Sequence, residues 1–542
     1  MKWLKYLKTL FSDKKTSKKV TVEDLESKDI SQREAAIKQL ELSLDLEENI
    51  EQIKKLFGNS FDLNIRRINV GADEFFGALI YIDSLVGNEM VNNILHNLNI
   101  DLLERLDLNN KLENNTYQII VNKVLSNKNI TETDNLEKIT KDLASGYTAI
   151  LFSGIKKVIL CETKELETRA IEEPEAEVSL RGPRDGFVEN IEVNISLLRR
   201  RLRIPHLWVE NLELGKLSKT NISIAYIKGL ASEELLDEVR ERLNRIEVDT
   251  VLDSGRIQEY IIDQPFTLFP LVKRTERVDR AVSCLSEGRV AILTSETPFV
   301  LIAPTTYNSL LQSVDDYNEI FPLGSFIRMM RHFSFVISLI LPGAYVAIIN
   351  YHPELLPVTL LLRIASSREG VPFPVLIEAI IMEVLFEVLR EAGLRLPKAF
   401  GAAVSIVGAL ILGEAAITAG LVSPAMVIIV ALTAIASFTT PDYTLALAAR
   451  VARFGFLFLG GAAGLFGIQF GLLLLLIHLV SLRSFGQPYF QPYGPLIWSD
   501  LKDSIIRVFW WKQQKRPKLI AQREPNRQEK NQKPGPDNKK ES

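Results

Sequence analysis

The residues of this chain whose types and spacing could do chemistry are carboxylates set in apolar surroundings. Glu378, Glu383, Glu387 and Glu391 lie in VLIEAIIMEVLFEVLRE, and Glu414 lies in AFGAAVSIVGALILGEAAITAG. Glu383, Glu387 and Glu391 recur every four residues and share one helical face, whereas Glu378 falls elsewhere on the wheel. Two readings fit. An amphipathic helix at a membrane surface keeps its acids in water, and a helix bordering an aqueous pathway uses a ring of carboxylates to attract cations. A carboxyl in lipid costs about 2.5 kcal/mol or more. Glu414 is therefore expected to face protein or water, either packed and protonated or on a pathway. Glu378, Glu383, Glu387 and Glu414 are the pore or pathway candidates.

The other reactive residue types form no such pattern. The five histidines, His96, His206, His332, His352 and His478, make no HExxH or i,i+4 ligand pair, and no Ser-His-Asp or GxSxG arrangement occurs. Gly215-Lys-Leu-Ser218 looks like the end of a phosphate loop, but Glu210 stands where that loop needs a glycine. Cys161 and Cys284 have no CxxC spacing and suggest no disulfide framework. The expectation is a protein that is not an enzyme, with no cofactor and no metal.

The elements that must position the acids are apolar runs of spanning length. They lie near 333–349, 399–420, 421–440 and 454–482, with the acidic helix 375–391 among them. A bilayer core of about 30 Å takes roughly 20 apolar residues in a helix. The first run carries Pro342, and the last exceeds one perpendicular span, which points to a tilted or re-entrant segment. Gly401, Gly408 and Gly413 in one run and Gly460, Gly464, Gly467 and Gly471 in another permit close helix approach and are the helix-packing candidates. Whole-chain values conceal this division. A mean hydropathy of +0.09 and a net charge of -3 over 542 residues average a polar half with an apolar one. Arg328 and Arg331 before the first run read as its cytoplasmic end, which puts the large N-terminal half inside the cell. Arg390, Arg395 and Lys398, Arg450 and Arg453, and the tail's Lys512, Lys515, Arg516 and Lys518 all ask for the same side, and simple single crossings do not satisfy every one, so charge alone leaves the topology open.

That half repeats itself. ALIYIDSL from Ala78 is echoed by IAYIKGL from Ile224, aligning Tyr81 with Tyr226, and GYTAILFS from Gly146 is echoed by GRVAILTS from Gly288. The offset moves only from 145 to 142 residues between the two matches, so two related α/β subdomains in tandem are expected. Between them, an acidic stretch through Glu172, Glu173, Glu175 and Glu177 reads as a solvated linker. Arg181-Gly182-Pro183 follows, with Asp185 as the cap of the next helix and Arg199, Arg200, Arg201 and Arg203 crowding its last turn. Those arginines suit a structural or interdomain role, or else phosphate, headgroups or nucleic acid. No basic stripe elsewhere extends a nucleic-acid surface. Arg181, Gly182, Pro183, Arg199, Arg200 and Arg201 are the interdomain candidates.

The expected layout is a basic amphipathic or flexible segment at 1–41, α/β subdomains at 42–165 and 166–310, and an all-α polytopic membrane domain at 311–486. A basic tail at 487–542 ends the chain, with 517–542 disordered.

RGPRDGFVENIEVN from Arg181, LLRRRLR from Leu197, TER from Thr275, EGRVAILTSETPFVLIAP from Glu287 and DDYNE from Asp315 carry a further likeness. So do REGVPFP from Arg368, the stretch from Phe386 through LVSP, and PYFQPYGPLIWSDLKDSIIR from Pro488. In these the chain resembles the A subunits of GerA-type spore germinant receptors, with Val278 standing where the family pattern usually has proline after TER. The resemblance implies a nutrient-sensing complex in the inner membrane of the dormant spore, a transporter-like B subunit and a lipoprotein C subunit as partners. It also implies a homo-oligomeric ring of A subunits enclosing a pore for monovalent cations. A secondary transporter, or a scaffold for the ligand-binding subunit, are the alternatives.

Overall fold

The computed structural model describes residues 29–69, 76–98, 129–165, 173–174, 177, 179, 181–395, 413–521, 523–529 and 532–535. The basic N-terminal stretch expected as an anchor or flexible arm lies outside them, as do Gly401 and Gly408.

Short apolar runs bounded by turns build two antiparallel five-stranded sheets. The first comprises β1 (Leu63–Asn69), β2 (Phe76–Ile82), β3 (Ile130–Thr133), β4 (Tyr147–Phe152) and β5 (Val158–Glu162), in the order β1-β2-β4-β5-β3. The second comprises β6 (Leu207–Leu214), β7 (Thr220–Ile227), β8 (Lys273–Thr275), β9 (Val290–Thr294) and β10 (Val300–Ala303), in the order β6-β7-β9-β10-β8. The order is the same, and so is the register. Ile80 pairs with Ala149 in the first sheet and Ala225 with Ala291 in the second, which are the positions related by the 145- and 142-residue offsets. The tandem α/β expectation therefore holds down to individual residue pairs. Both central strands are buried on both faces. In the first lobe, helices Leu46–Leu56 and Leu136–Leu143 cover one face and Asn88–His96 the other. In the second, Ile191–Arg201 and Val278–Leu285 cover one face and Glu233–Asn244 and Ser254–Ile261 the other.

Helix starts follow side-chain capping. Asn190 accepts from the amides of Glu192 and Val193 and starts helix Ile191–Arg201. Asp185, the expected cap, lies too far upstream and instead pairs with Arg201 at 2.6 Å. Val278, in place of the family's proline, is the first and fully buried residue of its helix. Its neighbourhood needs a helical backbone and an apolar side chain, which either residue supplies.

Beyond the sheets the chain turns helical. Phe321–Tyr351 is one helix of 31 residues running through Pro342. The helices Val358–Arg368, Val375–Arg395 and Pro424–Phe438 follow; of the expected 399–420 run only 413–420 is among the described residues, and 413–418 of it is helical. Tyr443–Ser481 is not a single rod. Ala463 and Gly464 leave helical geometry, with Gly464 at φ 61°, and the two halves fold back on each other. A Cβ on Gly467 would strike the carbonyl oxygen of Leu459, eight residues earlier, an approach possible only in a sharp helical hairpin. The long apolar run is thus resolved into two arms, the first about 30 Å long at 1.5 Å per residue. Both open ends of the hairpin lie against the second lobe: at the C-terminal end Ser484 donates to the Leu271 carbonyl at 2.6 Å and Thr267 meets His478 at 3.0 Å, and at the N-terminal end Leu445 shares a buried cluster with Phe269 and Leu271. The far end meets the end of the first long helix, where the Tyr351 hydroxyl sits 2.9 Å from the Gly461 carbonyl oxygen. Phe321–Tyr351 and Tyr443–Ser481 are long and apolar enough to cross a membrane.

Gly460 and Gly343 form the crossing between these two segments. A Cβ on Gly343 would lie 2.5 Å from the Phe456 carbonyl oxygen, and one on Gly460 would strike the Gly343 carbonyl. Gly460→Leu should therefore lower the thermal midpoint of the detergent-solubilised protein, with a cost of about 1–3 kcal/mol. Gly455→Ala, where a Cβ meets nothing within 4 Å, should leave it unchanged. Equal midpoints for both variants would show that the crossing tolerates separation.

Among the described residues of the tail, several pack against the second lobe. Ile520 and Ala521 are buried, Arg527 pairs with Glu287 at 3.0 Å and Arg523 with Glu233 at 3.3 Å. Two apolar side chains and two ion pairs hold residues that a purely compositional reading assigns to disorder.

Candidate functional site

Three joints place the sequence candidates. The first couples the lobes to each other. Arg199, in the last turn of its helix, reaches across to Asp62 of the first lobe, with Nη2 2.7 Å from Oδ1 and both side chains at most 3% exposed. Ser60 and Ser84 also donate to that carboxylate. Burial alone would raise the Asp62 pKa, but Arg199 and the two serines hold the carboxyl below its ordinary range. Trp208 closes the same seam by donating from Nε1 to the Leu56 carbonyl at 3.2 Å, its ring lying over Gly58, which takes φ 67°. Any side chain at Gly58 would enter that ring.

The second joint ties the lobes to the helices. Asp316, fully buried, accepts from Arg328 Nε at 3.0 Å and from Arg331 Nη1 and Nη2 at 2.9 and 3.0 Å. Asp503 takes the other side of Arg328 at 2.9 Å and the Tyr317 hydroxyl at 2.6 Å. Arg181 docks on the same segment: its carbonyl accepts from Asn318 at 2.7 Å, and its guanidinium lies 3.4 Å from Glu319. Gly182 packs beside Asn318, and Pro183 offers its carbonyl to Arg277 at 3.1 Å. Glu177, expected in a solvated linker, is drawn in by Arg280 at 2.6 Å. Next to it Lys273 is buried and donates to the Ser309 carbonyl at 2.9 Å. Burial, reinforced by Arg280, pushes its ammonium pKa down to about 7.

The third is a ladder of charge pairs along the acidic helix Val375–Arg395. Glu378 is fully buried; Oε1 accepts from the Ser423 amide and hydroxyl at 2.7 and 2.6 Å, and Oε2 lies 2.9 Å from Arg368. Glu383 meets Arg453 at 2.6 Å with both nearly fully buried, and Arg453 also donates to the Ser338 carbonyl at 2.7 Å. Glu387 meets Arg450 at 2.8 Å, and Glu391 meets Arg395 at 2.8 Å on the surface. Arg390 lies between the rings of Phe386 and Phe438, at 5.1 and 4.6 Å. Acids stepping by four along one helix meet arginines stepping back by three on an antiparallel one. Arg450 and Arg453, read from sequence as flanks of a span, are therefore partners within the bundle. Glu414 stands apart: it is exposed, not packed. Gly413 is buried, and a Cβ there would lie in ordinary contact with Val427, at 3.7 Å. Among the described residues no group of three or more His, Cys, Asp or Glu could hold a metal ion.

A doubled α/β module, joined by buried ion pairs to apolar helices of spanning length, defines the class as a membrane protein with a large α/β part. Its sequence agrees: residues 51–519 match the family described as Bacillus/Clostridium GerA spore germination protein. The chain belongs to this family, whose members serve as germinant receptor A subunits in spore germination. It is 42% identical to spore germination protein KA of Bacillus subtilis over 91% of this chain and 90% of that one. It is 38% identical to the uncharacterized membrane protein YfkQ of the same organism over 88% and 91%. The crystallised N-terminal domain of the A subunit of the Bacillus megaterium spore germinant receptor GerK3 is 31% identical, covering 49% of this chain and 98% of that domain, with a TM-score of 0.40.

Proposed function

We propose that the chain is a multi-pass subunit of a nutrient receptor in the spore inner membrane, with its lobes on the cytoplasmic side. In this reading it acts with B and C subunits and oligomerises to form a nutrient-gated cation pore. The observation that carries the reading is the clamp at Asp316: one buried carboxylate holds two arginines of the first long helix, so a shift of the lobes is transmitted to that helix directly. Support also comes from the apolar faces left open on this chain, such as Ile428, Leu432, Ile435 and Phe438, which suit lipid or a neighbouring copy. The helical hairpin and the helix before it return the chain to the lobe side, which agrees with both termini lying inside.

Neutral replacement of an acid leaves its arginine as a lone cation. A unit charge at 4 Å is worth about 4 kcal/mol at an effective dielectric of 20, and a tenfold rate change needs only about 1.4 kcal/mol. Glu378→Gln, Glu383→Gln and Glu387→Gln should therefore change nutrient-triggered release of monovalent cations from spores by roughly tenfold per receptor assembled, assembly being lowered but not abolished. Glu414→Gln tests the exposed acid. Unchanged release from all four variants would remove the acids from the mechanism. Flux through the purified chain in liposomes, with and without its partner subunits, separates a pore from a transporter and from a scaffold.

A further inference from the structure

A polar cavity of about 270 Å³ lies between the second lobe and the C-terminal segment, away from the charge ladder. At roughly 30 Å³ per water it has room for a small organic molecule. Its wall contains two amides that the fold does not use. Asn308 is 8% exposed and Gln491 4%, and among the described residues neither Asn308 Oδ1 nor Gln491 Nε2 has a hydrogen-bond partner. Arg289, 4% exposed, lines the same wall with its Nε unpartnered, while its other nitrogens serve Pro304 and Glu287. A buried polar atom left without a partner is destabilising. Three residues of one cavity wall carry such atoms, and a bound polar molecule would relieve those that turn toward it.

The charge around the cavity selects the molecule. Its acids are engaged: Glu287 by Arg289 and Arg527, Asp503 by Arg328, and Asp500 by the Lys518 amide at 2.9 Å. Lys502 and Lys515 stand exposed on the rim, and no acid pairs with either among the described residues. A rim with uncompensated cations draws in anions.

We propose that this cavity is a binding site for a small organic anion, carrying a carboxylate or phosphate together with hydroxyl or amine groups. The lysines attract the charge, and the amides of Asn308 and Gln491 bind the polar groups. The site lies away from the charge ladder, and its failure would leave the proposed function untouched.

The test is calorimetric titration of the full-length chain in detergent with citrate, inorganic phosphate and glycerol. Saturable binding of citrate or phosphate, one per chain, is expected, and glycerol should bind at least about tenfold more weakly, a difference of roughly 1.4 kcal/mol. Asn308→Ala should weaken binding about tenfold without lowering the thermal midpoint, because the amide has no structural bond to lose. Lys502→Gln with Lys515→Gln should weaken it and flatten its salt dependence. A preference for citrate over phosphate would assign the carboxylate, and the reverse the phosphoryl group. Absence of saturable binding by all three probes up to about 10 mM, glycerol binding as tightly as the anions, or binding unmoved by these substitutions would each overturn the proposal.

Discussion

Arg199→Met will loosen the seam between the two lobes by about 3–5 kcal/mol, because it leaves the Asp62 carboxylate buried with only its serine donors. The readout is local. Amide hydrogen exchange at 57–62 and 207–209 should accelerate on the order of 10²- to 10³-fold, since Phe61 donates across the seam to the Val209 carbonyl at 3.0 Å and Trp208 to that of Leu56. Pairing it with Asp62→Leu removes both charges, and the double variant should recover to within about 1–2 kcal/mol of the parent. The pH dependence has a definite sign. The folded Asp62 pKa is depressed, so its contribution is present above the unfolded value of about 3.9 and is lost as pH falls toward the folded one. Arg199→Met should thus raise the pH at which acid opens the seam. A double variant less stable than either single one, or an unaltered acid limb, would show that Asp62 and Arg199 are neighbours without being coupled.

Much of the architecture was readable because strands with repeated local chemistry announce themselves twice. Tyr81 and Tyr226, and the AIL triplets at 149–151 and 291–293, share a pattern that short-range periodicity can find, and the folded register preserves it. The joints were harder to read. Arg199 was marked as interdomain from its crowding with other arginines, but nothing local pointed to Asp62, whose distance in sequence is 137 residues. Asn190, standing just before an apolar helix, carried the capping signal that Asp185 was given instead. In the apolar half, charge near a hydrophobic run was read by its effect on orientation. For Arg328, Arg331 and Arg453 the structure shows a second cause, a buried acid partner, and for Arg450 the half-exposed Glu387. The available clue was spacing: acids at 383 and 387 with arginines at 450 and 453 are four and three apart, as facing antiparallel helices require. The hairpin was signalled by length, and Gly464 provides the positive φ that lets the chain reverse.

Arg453→Leu will be the most damaging single change in the helical half. Glu383 is 3% exposed and its only ion-pair partner among the described residues is Arg453, 2.6 Å away. In apolar surroundings the stranded carboxyl must either keep its charge without solvent or take up a proton, and breaking such a pair costs about 3–5 kcal/mol. The loss reaches further, because Arg453 Nε also binds the Ser338 carbonyl and so joins the hairpin to the first long helix. A fall in the thermal midpoint in detergent, and less receptor in spore membranes, are the expected measurements. Glu383→Leu combined with Arg453→Leu removes both charges and should restore the midpoint to within about 1–2 kcal/mol of the parent. That double variant separates stability from function. If the ladder borders the cation path, restored protein will still release cations abnormally, because the charged pair is gone while the packing remains. If nutrient-triggered release returns together with stability, the Glu383–Arg453 pair is a device for assembling the bundle, and conduction must run where Glu414 or another copy of the chain provides the acid.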